Sequence, residues 1–146
     1  MNTKARKPVQ FDFPVGYAAF HKENIYNFQL NRWYSLGYAQ YEDLAQVATR
    51  IESFDDWKVE LIKLAQRAEG ENRLLNAAYY YRAAEFYISP DDPDKMNIYR
   101  KFMGLIHPIL ADDGVEILNV PYETGCLPCL RLAAKGGTRK GVMVIH

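Results

Sequence analysis

The 146-residue chain has only two cysteines, three histidines and two tryptophans, and no excess of charge of either sign. Each shortage excludes something. Two cysteines cannot build the multi-bridge framework of a small secreted domain, which fits a reducing compartment. Lys and Arg number 18 and Asp and Glu 18, so the chain lacks the basic footprint with which duplex-binding domains displace counterions from phosphate. Nucleic acid is not an expected partner. The stretches free of charged or strongly polar residues fall far short of the roughly 18 needed to cross a bilayer, so no membrane span is expected. The first ten residues are basic through Lys4, Arg6 and Lys7, but Phe11-Asp12-Phe13-Pro14 stands where a secretory signal needs an unbroken apolar run. The expected address is the cytoplasm.

What is present suffices for a core. Hydrophobic residues make up 49% and charged residues 25%, close to ordinary globular usage, and the length suits one domain or a little more. Eleven of the residues are tyrosine, a side chain that fills a core while its tip finds a polar partner.

Residues 1–14 combine charge, two prolines and no periodicity, and read as a mobile tail. Residues 15–112 read as about five helices. Ile25, Phe28, Trp33, Tyr34 and Leu36 suggest a first helix over Ile25 to Tyr38 that ends near Gly37. Leu44, Val47, Ala48 and Ile51 form an i, i+3, i+4, i+7 stripe over Tyr41 to Ile51. Ser53 is a natural N-cap with Asp55 and Asp56 behind it, and Trp57, Leu61, Leu64, Ala65 and Ala68 mark one helical face up to Gly70. A fourth helix, Glu71 to Ile88, places Leu74, Ala77, Ala78, Tyr81, Ala84, Glu85 and Ile88 along one side. Ser89 to Pro93 breaks the chain, and the Asp92-Pro93 pair restarts a helix toward Leu110 that Pro108 should kink or end early.

After Asp112-Asp113-Gly114 the period changes, so residues 113–146 read as strands. Val115 to Tyr122 is a first strand, Thr124-Gly125 a turn, Leu127 to Ala134 a second strand and Gly136-Gly137 another turn. Gly141 to Ile145 is a continuous apolar run of the kind buried on both faces of a sheet. Its neighbours are not in the sequence, so the sheet is expected to be incomplete. Self-association through the β segment, giving a homo-oligomer, is expected in consequence. The expected fold class is therefore α+β, a helical region followed by a β-hairpin and a third strand.

Several motifs invite a chemical reading. Trp57 to Ile88 has tetratricopeptide-like spacing, but one copy cannot bury a solenoid core, so an antiparallel helical hairpin is expected. Cys126-Leu127-Pro128-Cys129 is a CxxC, yet it lies in a hairpin with no second knuckle, and only His107 and His146 could add ligands; no metal site is expected. Tyr79-Tyr80-Tyr81 cannot line one pocket wall, because successive helical residues point about 100° apart. The acidic clusters at Asp91, Asp92 and Asp94 and at Asp112 and Asp113 lack the spacing of a calcium loop and read as caps and turns.

The segment Gly114 to His146 resembles the opening of an α/β-hydrolase fold, with Val115 to Tyr122, Leu127 to Ala134 and Gly141 to His146 as its first three strands. The helices before it, including Asn27-Phe28-Gln29-Leu30-Asn31-Arg32, resemble the helical N-terminal cap of serine hydrolases of the dihydroxypseudooxynicotine hydrolase-like and dipeptidyl aminopeptidase-like group. The resemblance covers about residues 20 to 146. It implies that His146 begins the His-Gly-Gly turn whose amides help form the oxyanion hole. Cys129 departs from the glycine common there, and nothing after His146 is present. No G-x-S-x-G occurs, so no catalytic residue is assigned in this chain, which alone should be inactive. The full-length enzyme is expected to cleave an ester, amide or carbon–carbon bond in a small molecule or short peptide, without cofactor or metal. The competing expectation is a non-catalytic helical protein-interaction module.

Overall fold

The computed structural model describes residues 17–133 and Gly136. Five helices precede a two-stranded antiparallel sheet, an α+β arrangement: α1 Asn24–Ser35, α2 Tyr41–Ala48, α3 Phe54–Gly70, α4 Leu74–Phe86, α5 Lys95–Asp112, β1 Val115–Tyr122 and β2 Gly125–Leu132. The expected tail over residues 1–14, the third strand Gly141 to Ile145 and His146 lie outside the described residues. The chain divides into two compact units, residues 1–105 and residues 106–146, and α5 runs through the division.

In the helical unit α1 exists where the apolar spacing suggests, but it buries a different face. Ile25 and Phe28 are 48% and 59% exposed, while Tyr26, Asn27, Gln29, Leu30, Asn31 and Trp33 are buried. The buried asparagines hold backbone. Asn27 Oδ1 accepts from the amides of Phe20 and His21, at 2.8 and 3.0 Å. Asn31 accepts from the Ala18 amide and donates to the Ala18 carbonyl, both at 2.8 Å. A segment without regular structure thus satisfies its polar groups on α1, and polar residues occupy the inner face. Gly37, at φ 73°, closes the helix: its amide donates to the Tyr34 carbonyl and that of Tyr38 to the Trp33 carbonyl.

The α2 stripe of Leu44, Val47, Ala48 and Ile51 is buried, although the helix stops at Ala48 rather than Ile51. Ser53 caps α3 as its position suggests, accepting from the Asp56 amide at 3.1 Å while its hydroxyl donates to the Asp56 carboxylate at 2.8 Å. All five residues of the α3 face are buried. Trp57 near the start of α3 donates to the Ala83 carbonyl near the end of α4, and Tyr81 in α4 donates to Glu69 near the end of α3. The two helices form the antiparallel hairpin.

The expected side of the fourth helix is buried except at its first residue, since Leu74 is 39% exposed. The helix begins at Leu74, because Asn72 takes a left-handed φ of 58° and the Arg73 amide reaches back to the Ala68 carbonyl at 2.8 Å. Tyr80 and Ala83 are buried as well, so the inner side is wider than one stripe, while Leu75, Tyr79, Arg82 and Phe86 lie on the other side and are not buried. Pro108 neither ends nor visibly interrupts α5, which continues to Asp112. The carbonyl that loses its donor, and that the proline ring crowds, belongs to Gly104, four residues earlier. A Cβ built at Gly104 meets nothing within 4 Å, so that exposed turn has room to tilt.

In the second unit β1 and β2 pair in the register Val115↔Leu132 to Tyr122↔Gly125. The turn is Glu123-Thr124, one residue earlier than the sequence suggests, with Glu123 at φ 47°. A two-residue turn closes on a hydrogen-bonded pair, so Tyr122/Gly125, Val120/Leu127, Leu118/Cys129 and Glu116/Arg131 exchange the ladder bonds. Pro121 and Pro128 fall on the alternate pairs, where the amide points away from the partner strand. That placement lets both prolines sit in strands without costing a ladder bond. Large apolar side chains on both faces of the hairpin remain exposed, among them Ile117, Leu118, Val120, Leu127, Leu130 and Leu132.

Candidate functional site

Two adjoining hollows on the helical unit share Asn97 and Lys101. One, of about 520 Å³, is bounded by Glu69, Arg100, Gly104 and Leu105, and the other, of about 290 Å³, by Ile62, Gln66, Tyr81, Asp94 and Ile98. Together they form a groove with an apolar floor and a rim of mixed charge. The floor is positioned by the α3–α4 hairpin: Tyr81 lies inward, donates to Glu69 Oε2 at 3.1 Å, and is pushed up to about 12 by burial and the neighbouring carboxylate. Lys101 Nζ lies 5.9 Å from the centre of its ring. Such a groove suits an apolar or flat group carrying an acidic end, in the size range of small-molecule sites.

A third hollow, about 220 Å³, lies between α2 and α3 and is lined by Asp43, Gln46, Arg50, Glu60, Lys63 and Arg67 among others. Its charges are already engaged. Asp43 accepts from Arg67, Arg73 and Tyr80 at 2.7, 2.7 and 2.8 Å, and Glu60 pairs with Lys63 and Arg50. The hydrogen bond from Lys63, then the same ammonium's charge against the opposing effect of burial, holds the Glu60 carboxyl below its ordinary value. This hollow is a structural ion network, and helical spacing does not single out Asp43 as its hub.

The motifs fare differently from one another. The three tyrosines diverge: Tyr79 stacks on Tyr38 with ring centres 3.6 Å apart, Tyr80 binds Asp43, and Tyr81 floors the groove. Asp92 makes the expected turn contact, accepting from the Asp94 amide at 2.8 Å, and adds one that the spacing does not reveal. Lys58 on α3 reaches both Asp92 and Asp94 at 2.8 Å and ties the α4–α5 connection to the bundle. His21 is held by the Ile51 carbonyl at 2.8 Å and the Glu23 amide at 2.9 Å. Among the described residues no serine, threonine or cysteine side chain shares a hydrogen bond with a histidine, and no group of three or more His, Cys, Asp or Glu is placed to hold a metal. His146 lies outside the described residues. No described helix is long and apolar enough to cross a membrane.

Cys126 and Cys129 lie three apart on β2, so their side chains leave opposite faces. Strand rise puts their Cα atoms roughly 10 Å apart, beyond the about 7 Å limit for a disulfide. We expect both thiols to react freely with a thiol reagent in the folded, unreduced protein, with no bound zinc by metal analysis. An unreactive pair that opens only with reductant would overturn the assignment.

The ion contacts also set an acid response. The Lys58 ammonium, then the Asp94 amide, holds the Asp92 carboxyl below its ordinary value, and the Ser53 hydroxyl, then the Glu52 amide, does so for Asp56. A lowered folded value stabilises above the unfolded value and is lost as pH falls through the folded one. The urea midpoint should therefore hold steady down to about pH 4 and fall below it, and Lys58→Met should flatten that fall. An acid limb unchanged by Lys58→Met would exclude the Lys58 clamp as its source.

No protein-family model, curated protein or solved structure matches the chain.

Proposed function

We propose that the chain is the N-terminal part of a cytoplasmic serine α/β hydrolase, a helical cap followed by the opening strands of the catalytic sheet, with Gly141 to Ile145 as the third. The observation that carries this reading is the apolar cover β1 and β2 require on both faces. Sheets with helices on both sides need it, whereas a free-standing antiparallel hairpin keeps one face polar. The groove over Tyr81 supplies a surface with which the cap can shape a pocket for a small molecule or short peptide. In the full enzyme a serine would attack an ester, amide or carbon–carbon bond, and amides of the turn opened by His146 would receive the developing negative charge. The test is to read the encoding DNA past the His146 codon and to treat the natural gene product with a fluorophosphonate. Gly-Gly followed by a later, covalently labelled G-x-S-x-G serine supports the reading; a stop codon after His146 overturns it.

A second reading, a non-catalytic helical interaction module, is favoured by one feature of α1. Ile25, Phe28 and Leu36 form an exposed stripe, with Arg32 between them reaching over the Trp33 and Phe86 rings at 5.6 and 5.9 Å. Aromatic and arginine side chains together are the composition of interface anchors.

A further inference from the structure

We infer that the outer edge of β1 is a self-pairing surface, on which a second copy of this chain adds its own β1 antiparallel, about a two-fold axis at Ile117.

The two edges of the hairpin are unequal. On β1 the outward-facing positions are Val115, Ile117, Asn119 and Pro121; on β2 they are Cys126, Pro128, Leu130 and Leu132. Proline has no amide to give. The outer edge of β2 is therefore broken in its middle by Pro128, one of the devices by which natural sheets blunt an edge. On β1 the break comes only at Pro121, which leaves Val115, Ile117 and Asn119 as consecutive donor–acceptor positions. Neither lysine nor proline protects them.

That three-position edge is self-complementary. With Ile117 opposite Ile117 of the second copy, Val115 faces Asn119 and Asn119 faces Val115, and each of these residues donates once and accepts once. The register stops short of Pro121, so no missing amide falls inside it. Charge fits as well. Glu116 comes opposite Leu118 rather than another acid, and its carboxylate is already held by Arg131 across the β1–β2 ladder. Alternation places Val115, Ile117, Asn119 and Pro121 on one face with Cys126, Pro128, Leu130 and Leu132, a face without a charged residue. Pairing joins two such faces into one four-stranded sheet, and two strands alone are marginal in water where three or more hold. The proposal concerns this edge alone and does not rest on the hydrolase reading; a stop codon after His146 would leave it standing.

The experiment is sedimentation velocity on the full chain over a wide concentration range, with helix content followed by circular dichroism. The unaltered chain should reach twice the mass of one chain. Ile117→Lys and Ile117→Glu should each stay at single-chain mass with unchanged helix content, because like charges then oppose across the axis. An equimolar mixture of the two should recover the doubled mass. Leu130→Lys, on the blunted edge, should leave the dimer intact. Single-chain mass at every concentration overturns the proposal, as does a dimer that Leu130→Lys dissolves and Ile117→Lys does not, or a mixture that fails to recover. If the full chain is monomeric while a chain ending at Lys140 dimerises, the edge is taken by Gly141 to Ile145 of the same chain, and the inference is wrong.

Discussion

Trp57→Ala should cost the helical unit about 3–5 kcal/mol, the range for truncating a large buried aromatic, and so consume a large part of the stability an ordinary domain has. Trp57 is fully buried. Its ring stacks on Tyr26 at 5.7 Å and meets the Tyr87 ring edge-on at 5.2 Å, so its removal opens a cavity on several sides. Its indole nitrogen also donates to the Ala83 carbonyl at 2.7 Å. Ala83 belongs to the last turn of α4, where carbonyls lack an intrahelical donor, and Trp57 acts as a cap delivered from another helix. Trp57→Phe should separate the two roles, keeping most of the ring contact but leaving that carbonyl unpaired at about 1–3 kcal/mol. The control is Val59→Ala, at an exposed position on the same helix, within about 0.5 kcal/mol of the unaltered chain. Guanidinium unfolding followed by circular dichroism measures all three. Equal losses for Trp57→Ala and Val59→Ala would show that this ring is not the keystone of the bundle.

The same residue shows what the sequence discloses and what it withholds. That Trp57 faces a core follows from its place in a stripe with Leu61, Leu64, Ala65 and Ala68. Apolar residues at helical spacing have few other places to go, and for α2 and α3 the stripe names the buried residues correctly. The argument fails on α1 because it counts apolar side chains, whereas the inner face there is shared with Asn27 and Asn31, whose amides satisfy backbone. A helix that receives an irregular segment needs polar groups inside, and nothing local in the sequence says which helix that is. Helix ends are blurred for a related reason. Gly70 is the obvious terminator of α3, but the left-handed residue is Asn72, since asparagine tolerates that conformation and Gly70 can remain helical. Pro108 runs through α5 because its effect depends on Gly104, four residues away.

The groove was not legible at all. It takes Ile62, Gln66 and Glu69 from α3, Tyr81 from α4 and several residues from α5, and periodicity within a helix carries no information on which helices meet. The hairpin was more legible, because alternation, glycine and proline are local signals. Its turn slipped by one residue, as glycine at position 125 attracts a turn assignment while Glu123 bears the positive φ.

Asp43→Ala should be the other severe substitution, at about 3–5 kcal/mol, through what it strands rather than what it removes. The carboxylate is the common acceptor of three donors from two helices and a turn: Arg67 at 2.7 Å on α3, Arg73 at 2.7 Å between α3 and α4, and the Tyr80 hydroxyl at 2.8 Å on α4. Tyr80 is nearly inaccessible, and its oxygen in turn accepts from the Gln40 amide at the start of α2, at 3.1 Å. Burial, with the adjacent Asp43 carboxylate, pushes the Tyr80 hydroxyl well above its ordinary value, so it is a donor at neutral pH. Without Asp43 that proton has no acceptor, and the Arg73 guanidinium, left with Glu71 alone, is turned toward it. Tyr80→Phe should cost less, about 1–3 kcal/mol, because Asp43 keeps both arginines and only the Gln40 amide loses its partner. Arg67→Met should cost least, since that side chain is nearly half exposed and Asp43 keeps its donors Arg73 and Tyr80. The double variant Asp43→Ala/Tyr80→Phe then decides the mechanism. If the stranded hydroxyl is the penalty, the double variant is more stable than the sum of the singles by about 0.5–3 kcal/mol in a cycle of unfolding free energies. Strict additivity would mean that Asp43 and Tyr80 act independently, and that α2 is held to α4 by its apolar stripe alone.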